Sequence, residues 1–183
     1  MFDPISYLDG KSVLLVGNGE LMHETNYSKY DCIVRMNLGG IEKPCHIWID
    51  NLVYQGHFKL PQIPDVKNIM RLNCEKNGLR LKRLPEVLKK RDDIYYWNVV
   101  EFKTMCDTLN YPRPTTGLIS IYFLLNYCSC DLTITGFDFF VTRNRYTMEI
   151  HIDSKQPAYP CHNMQLEKKI VTDWECEGKI TIK

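Results

Sequence analysis

The chain has 183 residues, 44% of them hydrophobic, enough to bury a core without disulfides or metals, and we predict one domain over residues 1–183. Lys and Arg number 23 against 22 Asp and Glu, so no strong net charge directs the protein to nucleic acid or to an anionic membrane. No apolar run reaches the ~18 residues of a membrane span, and the N-terminal residues lack the pattern of a secretory signal. These features predict a cytoplasmic protein, for which only a peripheral membrane contact stays open.

The first third of the sequence predicts a β-turn-α-β opening. Ser12 to Val16 is a short aliphatic run, typical of a strand that is buried on both faces. A short helix or turn is predicted over Leu21 to Tyr27, and a second apolar strand over Cys32 to Met36. Two further strands are predicted at His46 to Leu52 and at Lys67 to Leu72.

The rest of the chain continues to alternate between strands and helices. Thr116 to Tyr127 is strongly apolar and opens on threonine, which is favoured at helix N-caps, so a buried helix is predicted there. The other predicted elements are a helix near Pro85 to Lys90, strands at Ile94 to Val100 and Leu132 to Ile134, a helix over Asn163 to Trp174, and a closing strand at Lys179 to Ile182. This alternation predicts an α/β fold: a single Rossmann-like domain with a mostly parallel twisted sheet flanked by helices.

The turn Gly17-Asn18-Gly19 follows the first predicted strand. Glycine allows a close backbone approach, and amide N–H groups at the carboxyl end of a parallel strand can hold a phosphate, with Asn18 as an additional donor. An ordinary tight turn explains the glycines equally well. The full G-x-G-x-x-G pattern of dinucleotide-binding proteins is missing, because Glu20, Leu21 and Met22 follow Gly19.

Other polar residues are expected at the same edge of the sheet. Asn37 ends the second strand, Thr115, Thr116 and Gly117 open the long apolar helix, and Gly136, Phe137 and Asp138 follow the next strand. A helix N-terminus favours an anion, and Asp138 suits a ribose hydroxyl. The structural alternatives are a turn-forming asparagine, a simple helix cap and a strand-ending turn.

His162 is the candidate general base. An imidazole with a pKa near 6.5 can take a proton from a hydroxyl at neutral pH, although a histidine near a helix start can also serve only as a cap. Glu167 lies five positions later, which is not the ideal spacing on one helix face. We therefore predict an orienting or structural role for Glu167.

The eight cysteines do not predict a disulfide framework in a chain of this length without an export signal, and most are expected to be buried, reduced thiols. Cys128 and Cys130 are too close for the usual zinc pair, and Cys161-His162 has no matching partner. No metal and no cofactor are expected.

Three ordered motifs of this chain resemble those of the sialyltransferase superfamily. Gly17-Asn18-Gly19 followed by Val34 to Asn37 (VRMN) is similar to the large motif of the animal-type enzymes and to the opening of the smaller bacterial ones. Arg113 to Gly117 (RPTTG) with Thr135 to Phe139 (TGFDF) is similar to the small motif, and His162 to Glu167 matches the very-small motif, His-x4-Glu. The stretch between Leu52 and Tyr111 matches poorly.

The resemblance implies an inverting, metal-independent glycosyltransferase that moves sialic acid or a related keto sugar from a CMP-activated donor to a glycan hydroxyl. It implies that Asn18 and Asn37 lie near the CMP phosphate and ribose, that Thr115 to Gly117 lie near the donor phosphate or carboxylate, and that Gly136 and Asp138 lie near the nucleoside. His162 is then the base. Tyr159, with His151 or Tyr146 as alternatives, is placed to stabilise the leaving group.

Two other functions are compatible with parts of the pattern. A catalytically inactive Rossmann-like module that binds a nucleotide or a partner protein is the main alternative. An NAD-dependent oxidoreductase is disfavoured, because the third glycine is missing and Asn37 stands where an acidic residue is expected.

Overall fold

A computed structural model describes residues 2–19, 25–36, 44–49, 68–72, 94–139 and 162–183 of the chain. The strands among these residues are β1 (Ser12–Val16), β2 (Cys32–Met36), β3 (Ile47–Ile49), β4 (Asn68–Arg71), β5 (Ile94–Tyr96), β6 (Asp131–Thr135) and β7 (Thr181–Ile182). The helices are α1 (Pro4–Leu8), α2 (Val99–Thr108), α3 (Thr116–Tyr127) and α4 (Met164–Cys176), with a 3-10 turn at Tyr27–Lys29.

The strands form one parallel sheet in the order β5-β4-β3-β2-β1-β6-β7. The chain builds the sheet outward from β1 to β5 on one side and then returns to place β6 on the other side of β1. Val16 is paired with Arg35 of β2 and with Thr135 of β6, so these three strands end at the same level. The predicted α/β class with a parallel sheet flanked by helices is confirmed.

Capping side chains set where the helices begin. Asp3 accepts a hydrogen bond from the amide of Ile5 at the start of α1, and Pro4 follows at the first helical position. Asn98 caps α2 by accepting from the amide of Val100, and Thr115 caps α3 by accepting from the amide of Leu118.

The main core lies between one face of the sheet and the helices. Alternate residues of β1, Val13 and Leu15, pack there with Phe123 of α3 and Val171 of α4. Leu14 and Val16, on the opposite face of β1, belong to a smaller cluster with Ile33. Burial on both faces explains why β1 is aliphatic at every position after Ser12.

Several predicted elements differ from the structure. The strand predicted over Ile94 to Val100 is wrong in its second half: the strand ends at Tyr96, because Asn98 caps a helix that starts at Val99. The sequence prediction also missed α1. The helix predicted over Thr116 to Tyr127 is confirmed at both ends. The helix predicted at 85–90, most of the turn predicted at 21–27, and residues 50–52 of the third strand lie outside the described residues.

The described helices include none that is both long and apolar enough to cross a membrane. Six cysteines fall within the described residues, and each has a free thiol. Most cysteines were expected to be buried, but among these six only Cys32 and Cys128 are fully buried. The half-buried ones are Cys45, Cys106 and Cys130, and Cys176 is exposed.

Candidate functional site

Two glycine turns meet where the strand order of the sheet reverses. Gly17 to Gly19 leave the carboxyl end of β1, and Gly136 to Asp138 leave the carboxyl end of the neighbouring β6. The amide of Gly17 donates to the carbonyl of Thr135 at 2.8 Å, and the amide of Gly19 donates to the carbonyl of Gly136 at 2.9 Å. In open α/β sheets the ligand crevice lies at this reversal, outside the carboxyl ends of the strands.

The two turns touch so closely that side chains do not fit between them. A Cβ atom on Gly17 would lie 2.3 Å from the carbonyl oxygen of Gly136, and one on Gly19 would lie 2.7 Å from Cγ of Asp138. Gly136 itself has a φ of 71°, in the left-handed region that glycine adopts without strain. The glycines are therefore required by the contact between the two turns.

Asn18 lies between these glycines and has an unsatisfied atom. Its Oδ1 is buried and has no hydrogen-bond partner, which is true of few side-chain atoms among the described residues. A buried acceptor without a partner costs about 1–3 kcal/mol. Oδ1 of Asn18 is therefore a buried acceptor that the described residues leave unsatisfied.

The turn after β6 also reaches the start of α3. A Cβ atom on Gly117 would lie 2.9 Å from Cε1 of Phe137, so the Phe137 ring covers the first turn of the helix at this glycine. Thr116 is half-buried at the first position of α3, and its carbonyl accepts a hydrogen bond from the hydroxyl of Ser120 at 2.7 Å. Among the predicted residues that the structure describes, Gly17 to Gly19, Gly136 to Asp138 and Gly117 thus form one continuous group at this sheet edge.

Glu167 in the first turn of α4 holds Thr115 by two hydrogen bonds. The amide of Thr115 donates to Oε1 at 2.8 Å, and its hydroxyl donates to Oε2 at 2.5 Å. The same hydroxyl oxygen accepts from the amide of Leu118 at 3.2 Å. Thr115 thus caps α3 and also connects α3 to α4 through its hydrogen bonds to Glu167. The donor-binding role predicted for Thr115 stays a prediction.

Burial raises the pKa of the Glu167 carboxyl, since the side chain is only 3% exposed. Hydrogen bonds from Thr115 and from the hydroxyl of Tyr111, together with the charge of His162, act in the opposite direction and stabilise the carboxylate. Burial of Glu167 therefore favours the neutral acid, and the surrounding hydrogen-bond donors favour the charged carboxylate.

His162 lies just before α4, and its ring is oriented by a main-chain group. Nδ1 is 2.7 Å from the carbonyl oxygen of Arg113. A carbonyl oxygen only accepts, so Nδ1 carries the hydrogen, and in the neutral imidazole the lone pair is on Nε2. This tautomer is the one in which Nε2 can take a proton from another molecule.

Tyr111 is the residue of this group that sequence reasoning missed. It is 6% exposed, its hydroxyl accepts a hydrogen bond from the amide of Asn163, and it also hydrogen-bonds to Glu167. Tyr111, Arg113 and Thr115 therefore each contact the segment from His162 to Glu167. The only signal in the sequence was the position of Tyr111 directly before the Pro-Arg-Pro stretch.

Three predicted residues, Asn37, His151 and Tyr159, lie outside the described residues, as does the alternative Tyr146. Within the described ranges, no group of three or more His, Cys, Asp or Glu side chains has an arrangement that could hold a metal ion.

The fold is similar to that of a solved enzyme. A crystal structure of a mammalian sialyltransferase in complex with Gal-beta-1-3GalNAc-ortho-nitrophenol superposes with a TM-score of 0.65 at 16% sequence identity, over 98% of this chain and 71% of that one. No protein-family model matches the sequence. No curated protein matches it either.

Proposed function

We propose that this protein is an inverting glycosyltransferase that transfers sialic acid, or a related keto sugar, from a CMP-activated donor to a glycan hydroxyl, without a metal. The whole chain, residues 1–183, would act as one catalytic domain. The observation that carries the proposal is the meeting of three separate sequence motifs at one edge of the sheet, where the strand order reverses. The similar fold of a sialyltransferase crystallised with a disaccharide derivative supports the same reading.

The donor would bind across the two glycine turns. Asn18 would offer its buried Oδ1 to a ribose hydroxyl, and Asp138 would contact the nucleoside from the turn after β6. Asn37 would contact the phosphate or ribose from the end of β2. Because the glycines keep the two turns in contact, Asn18 and Asp138 would be positioned before the donor arrives.

His162 would be the base of a single displacement. Nε2 takes the proton of the acceptor hydroxyl while the oxygen attacks the anomeric carbon from the side opposite CMP. The bond from that carbon to the phosphate oxygen breaks, its electron pair leaves with CMP, and the configuration inverts. Tyr159 or His151 would stabilise the charge that develops on the departing phosphate.

The test is transfer itself. The protein is incubated with CMP-sialic acid and a panel of glycan acceptors in the presence of EDTA, and CMP release is measured with and without each acceptor. The proposal requires release that depends on the acceptor, and a product heavier by one sugar whose anomeric configuration is inverted. CMP binding without release would instead support the inactive nucleotide-binding module, and a requirement for added metal would contradict the metal-independent mechanism.

A further inference from the structure

The hydroxyl of Tyr111 joins the two ends of the segment that carries the proposed base. At one end it accepts a hydrogen bond from the amide of Asn163, the residue after His162. At the other end it hydrogen-bonds to the carboxylate of Glu167. Since Tyr111 is 6% exposed, water does not easily replace either bond.

The backbone before α3 adds further contacts to the same segment. Pro112 and Pro114 flank Arg113, so the stretch that presents the Arg113 carbonyl to His162 has few accessible conformations. The ring position of His162 then depends on how the peptide at Asn163 is held against this stretch. Of the described side chains, that of Tyr111 is the one that accepts a hydrogen bond from the Asn163 amide.

Tyr111 also acts on the charge next to the base. Its hydroxyl accepts from Asn163, so its own hydrogen is directed to Glu167, whose other donors are the amide and hydroxyl of Thr115. These groups and His162 are the titratable or polar partners that face the carboxylate. A nearby carboxylate stabilises the imidazolium that forms when a base accepts a proton.

We propose that Tyr111 is a positioning residue for the transfer reaction, holding the segment from His162 to Glu167 so that Nε2 faces the acceptor hydroxyl. This inference rests on the proposed function. Tyr111 contacts neither donor nor acceptor in this scheme, so its removal affects the chemical step more than substrate binding.

Tyr111→Phe removes the hydroxyl and keeps the ring, and Tyr127→Phe is the matched control, since Tyr127 is a half-buried tyrosine of α3 stacked on Phe123. We expect Tyr111→Phe to lower kcat about 10-fold, with the KM for the CMP-sugar within about 2-fold of wild type. Tyr127→Phe is expected to change kcat less than 2-fold. Rates are divided by the concentration of protein that binds CMP, so partial unfolding of a variant does not count as a loss of kcat.

An unchanged kcat in Tyr111→Phe, or an equal loss in Tyr127→Phe, would overturn the inference. If wild-type protein releases no CMP, the proposed function fails, and ring-nitrogen NMR of His162 then tests Tyr111 separately. We expect wild type and Tyr127→Phe to show a protonated Nδ1 and an unprotonated Nε2, and Tyr111→Phe to show a mixture of tautomers. Identical His162 spectra in wild type and Tyr111→Phe would contradict the positioning role even without catalysis.

Discussion

Glu167 binds both the amide and the hydroxyl of Thr115, a residue 52 positions earlier in the chain. The pair connects the start of α4 to the start of α3, the two helices whose N-termini carry the late part of the candidate site. Burying a carboxylate is costly, so the stability of buried Glu167 depends strongly on the two hydrogen bonds that Thr115 donates to it.

Replacing Thr115 tests this connection. Thr115→Val removes the helix cap and one donor to Glu167 while keeping the shape of the side chain, so we expect the free energy of unfolding to fall by about 2 kcal/mol. Thr115→Ser keeps the hydroxyl and should retain most of the stability. Urea unfolding of the three proteins measures the difference, and a valine variant as stable as wild type would show that the bond to Glu167 contributes little.

Glu167 also predicts a pH dependence of stability. Its pKa is raised above the ordinary 4.5, so the folded protein holds this proton more tightly than the unfolded chain does. The contribution of this group to the free energy of unfolding is therefore greatest below pH about 4.5 and declines as pH rises through the folded-state pKa. Glu167→Gln does not titrate and should lack this decline. Unfolding curves from pH 4 to about 7 give the comparison, and parallel pH profiles would be the contrary result.

His162→Asn separates the ring position from the base. An asparagine amide can donate to the Arg113 carbonyl as Nδ1 does, but it has no counterpart of the basic Nε2. We expect turnover of CMP-sialic acid to fall by at least about 100-fold, while CMP raises the thermal midpoint as in wild type. Turnover within about 10-fold of wild type would remove His162 from the role of base.

Gly17→Ala tests the contact between the two turns. The new Cβ atom would lie 2.3 Å from the Gly136 carbonyl oxygen, so the turns must separate, at a cost of about 1–3 kcal/mol, and we expect CMP to lose its stabilising effect. Gly10→Ala is the control: Gly10 has a φ of 68° with no atom near the Cβ position. It should cost about 1–2 kcal/mol through backbone strain alone and leave CMP binding intact. CMP binding by Gly17→Ala equal to that of the Gly10 variant would contradict the predicted donor site.

The cysteines should react in a definite order. Burial raises the pKa of Cys32 and of Cys128 to about 12, and the pKa of Cys45 and of Cys130 to about 11, whereas Cys176 is exposed. The thiolate is the reactive form, so iodoacetamide at pH 8 should label Cys176 before these four. Peptide mass mapping over time measures the order, and early labelling of Cys32 would show that its strand opens readily.

Sequence patterns predicted the elements whose formation depends on residues close together in the sequence. Thr115 and the apolar run after it were sufficient to place α3, and the aliphatic run from Val13 was sufficient to place β1. The same reasoning failed at Val99, where two β-branched residues suggested a strand but the cap at Asn98 starts a helix. Local capping was stronger there than β propensity.

The candidate site was predictable only in outline. The glycine turns follow strands directly, so their meeting at one edge follows from a parallel sheet. The bond of Tyr111 to Asn163 joins residues 52 positions apart and leaves no periodic pattern. Glu167 was assigned an orienting or structural role from its spacing alone, and its partner Thr115 became visible only in three dimensions.

The central position of β1 has a consequence for how the chain acquires its structure. One neighbour of β1, β2, follows it closely in the chain, but the other, β6, begins at Asp131 and is synthesised long after β1. Until β6 has been synthesised, the aliphatic strand β1 lacks its second pairing partner. Closing the long stretch of chain between β1 and β6 is slow. Early aggregation on the ribosome, and protection of nascent chains by chaperones, should therefore depend on this strand more than on any other in the described sheet.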